Sequence, residues 1–191
     1  MISKIIEPLR YSLGATVAIK RQVLEAIGGF RRLKDLLADD YYLGKFASDH
    51  GYKIRLSNSI VTVRSEERCF AEFWNHQLRW ARTYRTTRPI SVATIILHGP
   101  FWALMLLGAA RCSIFALGLS AAVIIARIAT SRLIIGRMLG LTSQRGDAWL
   151  TPVKDLVMTA VWAASLFSNE VLWGGRRLRI QPDGTMQEVF R

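Results

Sequence analysis

The run PISVATIILHGPFWALMLLGAA, Pro89–Ala110, is 22 residues long and carries no charged side chain. A bilayer core takes roughly 20 apolar residues of helix to cross, so this stretch separates an integral membrane protein from a soluble one. Its surroundings agree. Arg111–Thr130 is a second apolar stretch, interrupted by Arg127 near its end, and Leu156–Asn169 is a third, 14 residues without charge. Residues 1–89 carry 25 charged side chains, residues 90–173 only 9, and residues 174–191 a further 6, four of them arginine. The middle of the chain is a different material from its front. Over all 191 residues the hydrophobic share is 51% and the mean hydropathy +0.21. That much apolar surface excludes intrinsic disorder. The blander reading, core helices of a soluble domain, has the weaker support.

Orientation follows the arginines. Arg79, Arg82, Arg85 and Arg88 precede the first stretch, Arg132, Arg137 and Arg145 follow the second, and Arg176, Arg177 and Arg179 follow the third. The positive-inside rule puts all three clusters in the cytoplasm. Two complete spans satisfy this and three do not. The third stretch, short and bounded by Asp155 and Glu170, is therefore expected to be re-entrant or interfacial. The net charge of +12, from 26 Lys and Arg against 14 Asp and Glu, draws the chain to something anionic. Arginines at membrane boundaries point to anionic lipid, and no nucleic-acid-binding signature accompanies them. Nucleic acid is not expected as a partner. Met1–Lys4 has no apolar signal-peptide region, and the first apolar stretch starts about 90 residues in.

The polar front reads as mixed α and β. Leu13–Ile19 is β-rich and reads as a strand. Arg21–Ile27 reads as a short helix stopped by Gly28-Gly29. Asp39 and Asp40 open another helix, where acidic side chains cap free amides and suit the helix dipole. Leu43, Phe46 and Ala47 give it a buried face, and Gly51 ends it. Tyr52–Leu56 and 60–63 read as two short strands around a turn at 57–59. From Phe70 on, Phe73, Trp74, Gln77, Leu78 and Ala81 recur at helical steps of three and four.

Few residues offer chemistry. Asp39-Asp40 is the single pair of adjacent aspartates. It is either a helix cap or a carboxylate held at the mouth of a site to take a proton from a hydroxyl. The segment His76-Gln77-Leu78-Arg79-Trp80, taken alone, is an ordinary interfacial anchor. Two cysteines, Cys69 and Cys112, exclude a disulfide scaffold and a thiolate zinc cage. His50, His76 and His98 lack the HxxxH spacing, so no metal ligands are assigned. Gly28-Gly29 and Gly174-Gly175 are too short for a phosphate-cradling loop.

The order of the motifs is more specific than any one of them. A strand with Gly14 is followed by IGGF at Ile27–Phe30, ADDYYLG at Ala38–Gly44, HQLRW at His76–Trp80 and then the apolar stretches. PVKDL at Pro152–Leu156, WAASLF at Trp162–Phe167 and WGGRRLRIQPDGTM at Trp173–Met186 complete the series. This order resembles the C-terminal half of membrane-bound inverting glycosyltransferases with a GT-A fold. The nearest likeness is to the ceramide glucosyltransferase family and its bacterial relatives, which include hopanoid-associated enzymes. The resemblance runs over nearly the whole chain from about Gly14.

The resemblance implies an α/β fold: an incomplete C-terminal part of a GT-A domain followed by a helical transmembrane region. Residues 1–88 would form the acceptor-side part ending in an interfacial helix, residues 89–173 the membrane region, and residues 174–191 a basic cytoplasmic tail with a hairpin. It implies transfer of a hexose from a UDP-sugar to the primary hydroxyl of a membrane lipid, ceramide-like or hopanoid. Asp40, before Tyr41, matches the family's catalytic base, with Asp39 and Tyr41 beside it in supporting roles. Arg79 and Trp80 match its (Q/R)xxRW motif, Arg79 suited to a diphosphate and Trp80 to the sugar or acceptor. His76 stands where the family has Gln or Arg, and Gln77 is one position late. The family's nucleotide-binding half carries a DxD motif for a divalent metal, Mg or Mn. No DxD occurs in this sequence. The chain is accordingly expected to be a fragment, a split protein or the product of a truncated reading frame, to bind no metal alone, and to be inactive without a nucleotide-binding half, which a separate partner could supply. Its expected place is integral to the membrane with the catalytic part on the cytoplasmic side. The alternative is a non-catalytic membrane remnant that binds lipid or a partner subunit.

Overall fold

The computed structural model describes residues 9–14, 16–57, 59, 61, 63, 67–138, 140 and 147–189. The chain divides into two units. The first comprises residues 1–75, 82–89 and 169–191, the second residues 76–81 and 90–168.

In the first unit, helix α1 (Arg21–Ala26) stops before Gly28 and Gly29, both at positive φ, and is followed by a 3-10 turn, Phe30–Leu33. Helix α2 (Asp39–Asp49) carries Asp39 and Asp40 in its first turn. Its inner face, Leu43 and Ala47, packs with Ile27 and Leu33 into a small core flanked by Ile19, Val23, Leu24, Phe46 and Ile54. Helix α3 (Phe70–Thr87) follows the periodicity of its sequence and contributes to both units.

The strands are the main departure from the sequence reading. Leu13–Ile19, apart from Ala15, which lies outside the described residues, is not a strand, and neither is Tyr52–Leu56. The run 60–63 and the turn at 57–59 fall partly outside the described residues. β-Propensity marks side chains that suit a pleated surface, but a ladder needs a second strand. None pairs with these segments among the described residues.

The described sheet lies at the end of the chain. Strands β1 (Glu170–Trp173), β2 (Arg176–Ile180) and β3 (Met186–Glu188) are antiparallel in the order β1-β2-β3. In β2 the alternation RRLRI buries Leu178 and Ile180 on one face and leaves Arg177 and Arg179 on the other. Val171, Leu178 and Ile180 form a second core with Leu37 and Met186. Leu36 packs on the first core and Leu37 on the second, so the short segment leading into α2 joins them.

In the second unit, the first apolar stretch is not one continuous α-helix. It is a 3-10 segment, Pro89–Leu97, and an 11-residue helix α4, Gly99–Ala109, separated at His98. Pro100, in the first turn of α4, has no amide hydrogen to continue a ladder from the preceding turn. The second stretch is one helix, α5 (Ile114–Leu133), opened by Ser113, whose hydroxyl accepts from the Ala116 amide at 3.3 Å. Extended by a π-turn, Ile134–Met138, it gives the span Ile114–Arg137, long and apolar enough to cross a membrane. The third stretch begins earlier than its apolar run, as α6 (Thr151–Ser165) with Pro152 in its first turn.

Helices α4, α5 and α6 pack pairwise with small and polar residues inward. Ala103, Ala116 and Ser120 are buried, and the Ser120 hydroxyl donates to the Ala103 carbonyl at 3.2 Å. Arg127 of α5 binds the Asp155 carboxylate of α6 through Nε at 2.5 Å and Nη2 at 3.0 Å. Thr151 donates to Ser131 at 2.9 Å, and His98 Nδ1 lies 2.8 Å from Thr159 Oγ1. Large apolar side chains face outward, Ile114 at 90% and Phe115 at 77% exposure. This inversion of the usual core pattern suits helices surrounded by lipid.

The ion pair yields a stability test. Asp155→Ala leaves the Arg127 cation without its partner and should cost about 3–5 kcal/mol, read as a lowered unfolding temperature in detergent. Arg127→Ala/Asp155→Ala should recover much of that loss, because it leaves no uncompensated charge.

Candidate active site

Helix α2 sets the geometry around Asp40. Successive residues turn about 100° around a helix. Asp40 therefore lies on the face shared by Leu43, Gly44 and Ala47, all buried, while Asp39 is rotated away from it and exposed. Asp39 Oδ1 accepts the Asp40 amide at 2.9 Å, a capping contact at the start of the helix. The two adjacent carboxylates thus have different environments.

Four other residues of the same unit enclose Asp40. A Cβ built on Gly14 would run into Asp40 Oδ2, so the absence of a side chain at residue 14 makes room for the carboxylate. The Ser12 hydroxyl donates to the Asp40 carbonyl. The Tyr11 ring stacks at a tilt on that of Tyr41, with centroids 5.3 Å apart. Arg88, at the end of α3, lies over the Tyr11 ring at 4.6 Å and donates to its hydroxyl at 2.6 Å.

Burial raises the Asp40 carboxyl above its ordinary value, and the charge of Asp39 adds to this. The amides of Tyr41 and of Asp40 itself pull the other way. Tyr84, one turn before Arg88, has its hydroxyl raised chiefly by desolvation, then by the charges of Asp40 and Tyr11, with Arg88 opposing. A desolvated carboxylate beside a phenol is equipped to accept a proton from a hydroxyl.

His76, Gln77, Arg79 and Trp80 lie in the middle turns of α3, which belong to the second unit. The rings of His76 and Trp80 meet edge to face at 4.8 Å. Arg79 is partly buried, and desolvation lowers its pKa from the ordinary value. Trp80 leaves 45% of its surface exposed.

Tyr11, Ser12 and Tyr84 were not singled out by sequence, and Arg88 was read as a lipid-facing charge. Arg82, Arg85 and Arg88 are held within the protein. Arg82 donates to the Glu170 carbonyl, Arg85 to the Asn169 side chain, and Arg88 to Tyr11. The i, i+3 spacing of Arg82 and Arg85 on α3 is the signal that one helix face meets a common partner.

The divalent metal implied by the resemblance finds no converging set of ligands among the described residues, where no group of three or more His, Cys, Asp or Glu comes together to hold an ion. The Asp39-Asp40 pair divides between an exposed capping group and a half-buried carboxylate.

Against this geometry the comparison with protein families is direct. The chain is a glycosyltransferase by its sequence match over almost its whole length. It belongs to glycosyl transferase family 21, the ceramide glucosyltransferase-like family, whose model covers residues 1–186. The match therefore includes the front, both motifs and most of the tail. No solved structure matches the chain.

The raised Asp40 carboxyl fixes the sign of two pH effects. A carboxylate that serves as a base works when ionised, so the acid limb of a rate profile governed by Asp40 should lie above the ordinary value of 3.8. Asp39→Asn removes a like charge and should move that limb to lower pH. The folded state also holds the Asp40 proton more tightly than the unfolded state does. Its stability should therefore fall as pH rises from the unfolded to the folded pKa. Asp40→Asn should flatten this fall in melting curves recorded across that window.

Proposed function

We propose that this chain is the acceptor-side and membrane part of an inverting transferase, moving a hexose from a UDP-sugar to the primary hydroxyl of a ceramide-like membrane lipid. The half-buried Asp40 carboxylate, in the space left by Gly14, is the observation that carries this reading. Asp40 takes the proton of the lipid hydroxyl as its oxygen attacks the anomeric carbon. The bond from that carbon to the UDP oxygen breaks on the opposite face, and UDP departs with the electron pair. The configuration therefore inverts. Arg79 offers paired donors to the diphosphate, and Trp80 a flat apolar face to the sugar or acceptor. His76 and Gln77 supply further polar contacts there. The sequence contains no DxD, and a nucleotide-binding half of the family type supplies the rest of the donor site.

The membrane arrangement follows from chain length and from where the chain returns. A 3-10 helix rises about 2.0 Å per residue and an α-helix about 1.5 Å, so Pro89–Leu97 and α4 together extend about 34 Å. That is enough for one broken crossing, with α5 as the second. α6, at 15 residues, is short for a third. The chain then re-enters the unit holding Asp40, in keeping with two crossings and a cytoplasmic site.

The free, exposed Cys69 and Cys112 test this arrangement as natural labels. A membrane-impermeant maleimide applied to sealed vesicles of either orientation should reach Cys69 from the cytoplasmic face and Cys112 from the opposite one. Labelling of both from one face would remove the α4–α5 hairpin as a pair of crossings.

The chemistry is tested in membranes carrying the chain together with a family nucleotide-binding half, using labelled UDP-glucose and ceramide. A positioned base contributes roughly 10²–10⁴-fold. Asp40→Asn should remove about that much turnover, and Asp39→Asn far less. Equal losses with the fold intact would refute Asp40 as the base. No turnover in any variant, with both halves present, would favour a non-catalytic lipid-binding role.

A further inference from the structure

The end of the chain returns to the beginning of α2. Gln181–Thr185 forms a tight turn closed by its own bonds. The Gln181 amide donates to the Thr185 carbonyl at 2.8 Å and the Gly184 amide to the Gln181 carbonyl at 2.9 Å. The Asp183 carboxylate accepts from the Thr185 amide at 2.9 Å and from its hydroxyl at 2.7 Å. This turn is fastened to the segment that leads into α2. Leu36 bridges Thr185, the Met186 amide donates to the Asp35 carbonyl at 2.8 Å, and the Leu37 amide reaches the Gly184 carbonyl at 3.4 Å. Tyr42 donates its hydroxyl to the Asp183 carbonyl at 2.9 Å. Gly184 sits at φ +87, and a Cβ there would run into the Tyr42 ring. Leu37 joins the apolar face of the sheet.

Asp39 and Asp40 begin one residue after Ala38. The turn therefore grips α2 on both sides of the carboxylates, at Asp35–Leu37 before them and at Tyr42 after them. Tyr42 lies about 200° around the helix from Asp40, so the grip leaves the Asp40 face free. The sheet behind the turn is tied to α3 as well, through Arg82 to the Glu170 carbonyl and Arg85 to Asn169.

We propose that the C-terminal turn is a positioning latch for the catalytic helix, with Tyr42, Asp183 and Gly184 setting the angle at which α2 presents Asp40. None of the three is a catalytic residue. This inference rests on Asp40 being the base, and it goes beyond that assignment by giving the tail after the membrane segments a part in turnover.

The assay pairs the full chain with the nucleotide-binding half in membranes, as above. Tyr42→Phe deletes one hydrogen bond and keeps the ring; it should lower kcat about 5- to 10-fold with KM for both substrates little changed. Gly184→Ala drives a methyl into the Tyr42 ring, and a displacement near 1 Å at a catalytic group costs about 10²-fold. In both variants α2 is loosened, water reaches Asp40, and the acid limb of the kcat profile moves to lower pH. Gly174→Ala is the control. Residue 174 is also at positive φ, yet a Cβ there meets nothing within 4 Å, so the limb should stay in place. Hydrogen exchange of the full chain in nanodiscs supplies a readout independent of turnover. Peptides covering residues 38–46 should exchange faster in Tyr42→Phe and Gly184→Ala than in Gly174→Ala. If activity in the two latch variants merely tracks the amount of folded protein, with limb and exchange unmoved, the turn only covers apolar surface and the latch is overturned. If Asp40→Asn in the same membranes retains turnover, the base assignment falls and takes the latch with it. Loss with Asp40→Asn alone, the latch variants being silent, overturns the latch and leaves the base standing.

Discussion

The carboxylate of Asp40 fills space that any side chain at residue 14 would occupy, and much of the first unit is built around that close approach. Gly14 must be delivered to the first turn of α2 by a segment with no ladder of its own among the described residues. Side chains do the holding instead. Ser12 bonds to the Asp40 carbonyl, Tyr11 stacks on Tyr41, and Arg88 clamps Tyr11 from the end of α3. A guanidinium over an aromatic face is worth about 0.5–2 kcal/mol. Its hydrogen bond to the same ring's hydroxyl makes the contact directional as well as attractive. The result couples the end of a long helix to the floor beneath a carboxylate.

Two opposing effects meet at that carboxylate. A helix N-terminus favours negative charge by about 0.3–1 kcal/mol, which is less than one pKa unit at about 1.4 kcal/mol. Burial acts the other way and is the larger influence on Asp40, with the Asp39 charge in support. The outcome is a carboxyl raised above its ordinary value although it sits where a helix would lower it. Asp39, one residue earlier and exposed, keeps the capping bond. Division of labour between adjacent like residues thus comes from a 100° rotation and not from their chemistry.

Local signals made part of this legible in the sequence. The acidic pair opening α2, the apolar stripe of α3 and the long apolar run of α5 are each written within one or two turns of chain, and each element forms where its pattern lies. The hairpin expected in residues 174–191 forms as well, β2 and β3 being joined through the turn at Gln181–Thr185. The segments 13–19 and 52–56 were not, because β-rich composition records suitability for a sheet and says nothing of whether a partner strand is present. The break at His98 was hidden by composition, since an uncharged run looks alike whether it forms one helix or two. The motif singled out Asp40 as a candidate, but not its surroundings. Ser12 and Asp40 are separated by 28 residues and Tyr11 and Arg88 by 77, and no periodic pattern encodes such contacts. Reading Arg82, Arg85 and Arg88 as lipid anchors shows the same limit, for charge alone does not say whether a phosphate or a carbonyl receives it.

The route of the chain links the surroundings of Asp40 to the apolar helices. It leaves the first unit near the end of α3, runs through α4, α5 and α6, and re-enters at Asn169. Both points of passage are secured by α3 arginines on Asn169 and Glu170, so the exit and the return are fastened to each other. The contact of Tyr42 with Asp183 then puts the tail on the same side of any membrane as Asp40. An ion pair between α5 and α6 holds the excursion together among apolar neighbours, where an unpaired charge would be expensive. The exit and return of the apolar excursion are therefore fixed by a short run of polar contacts along α3 and the tail, in the same unit as Asp40.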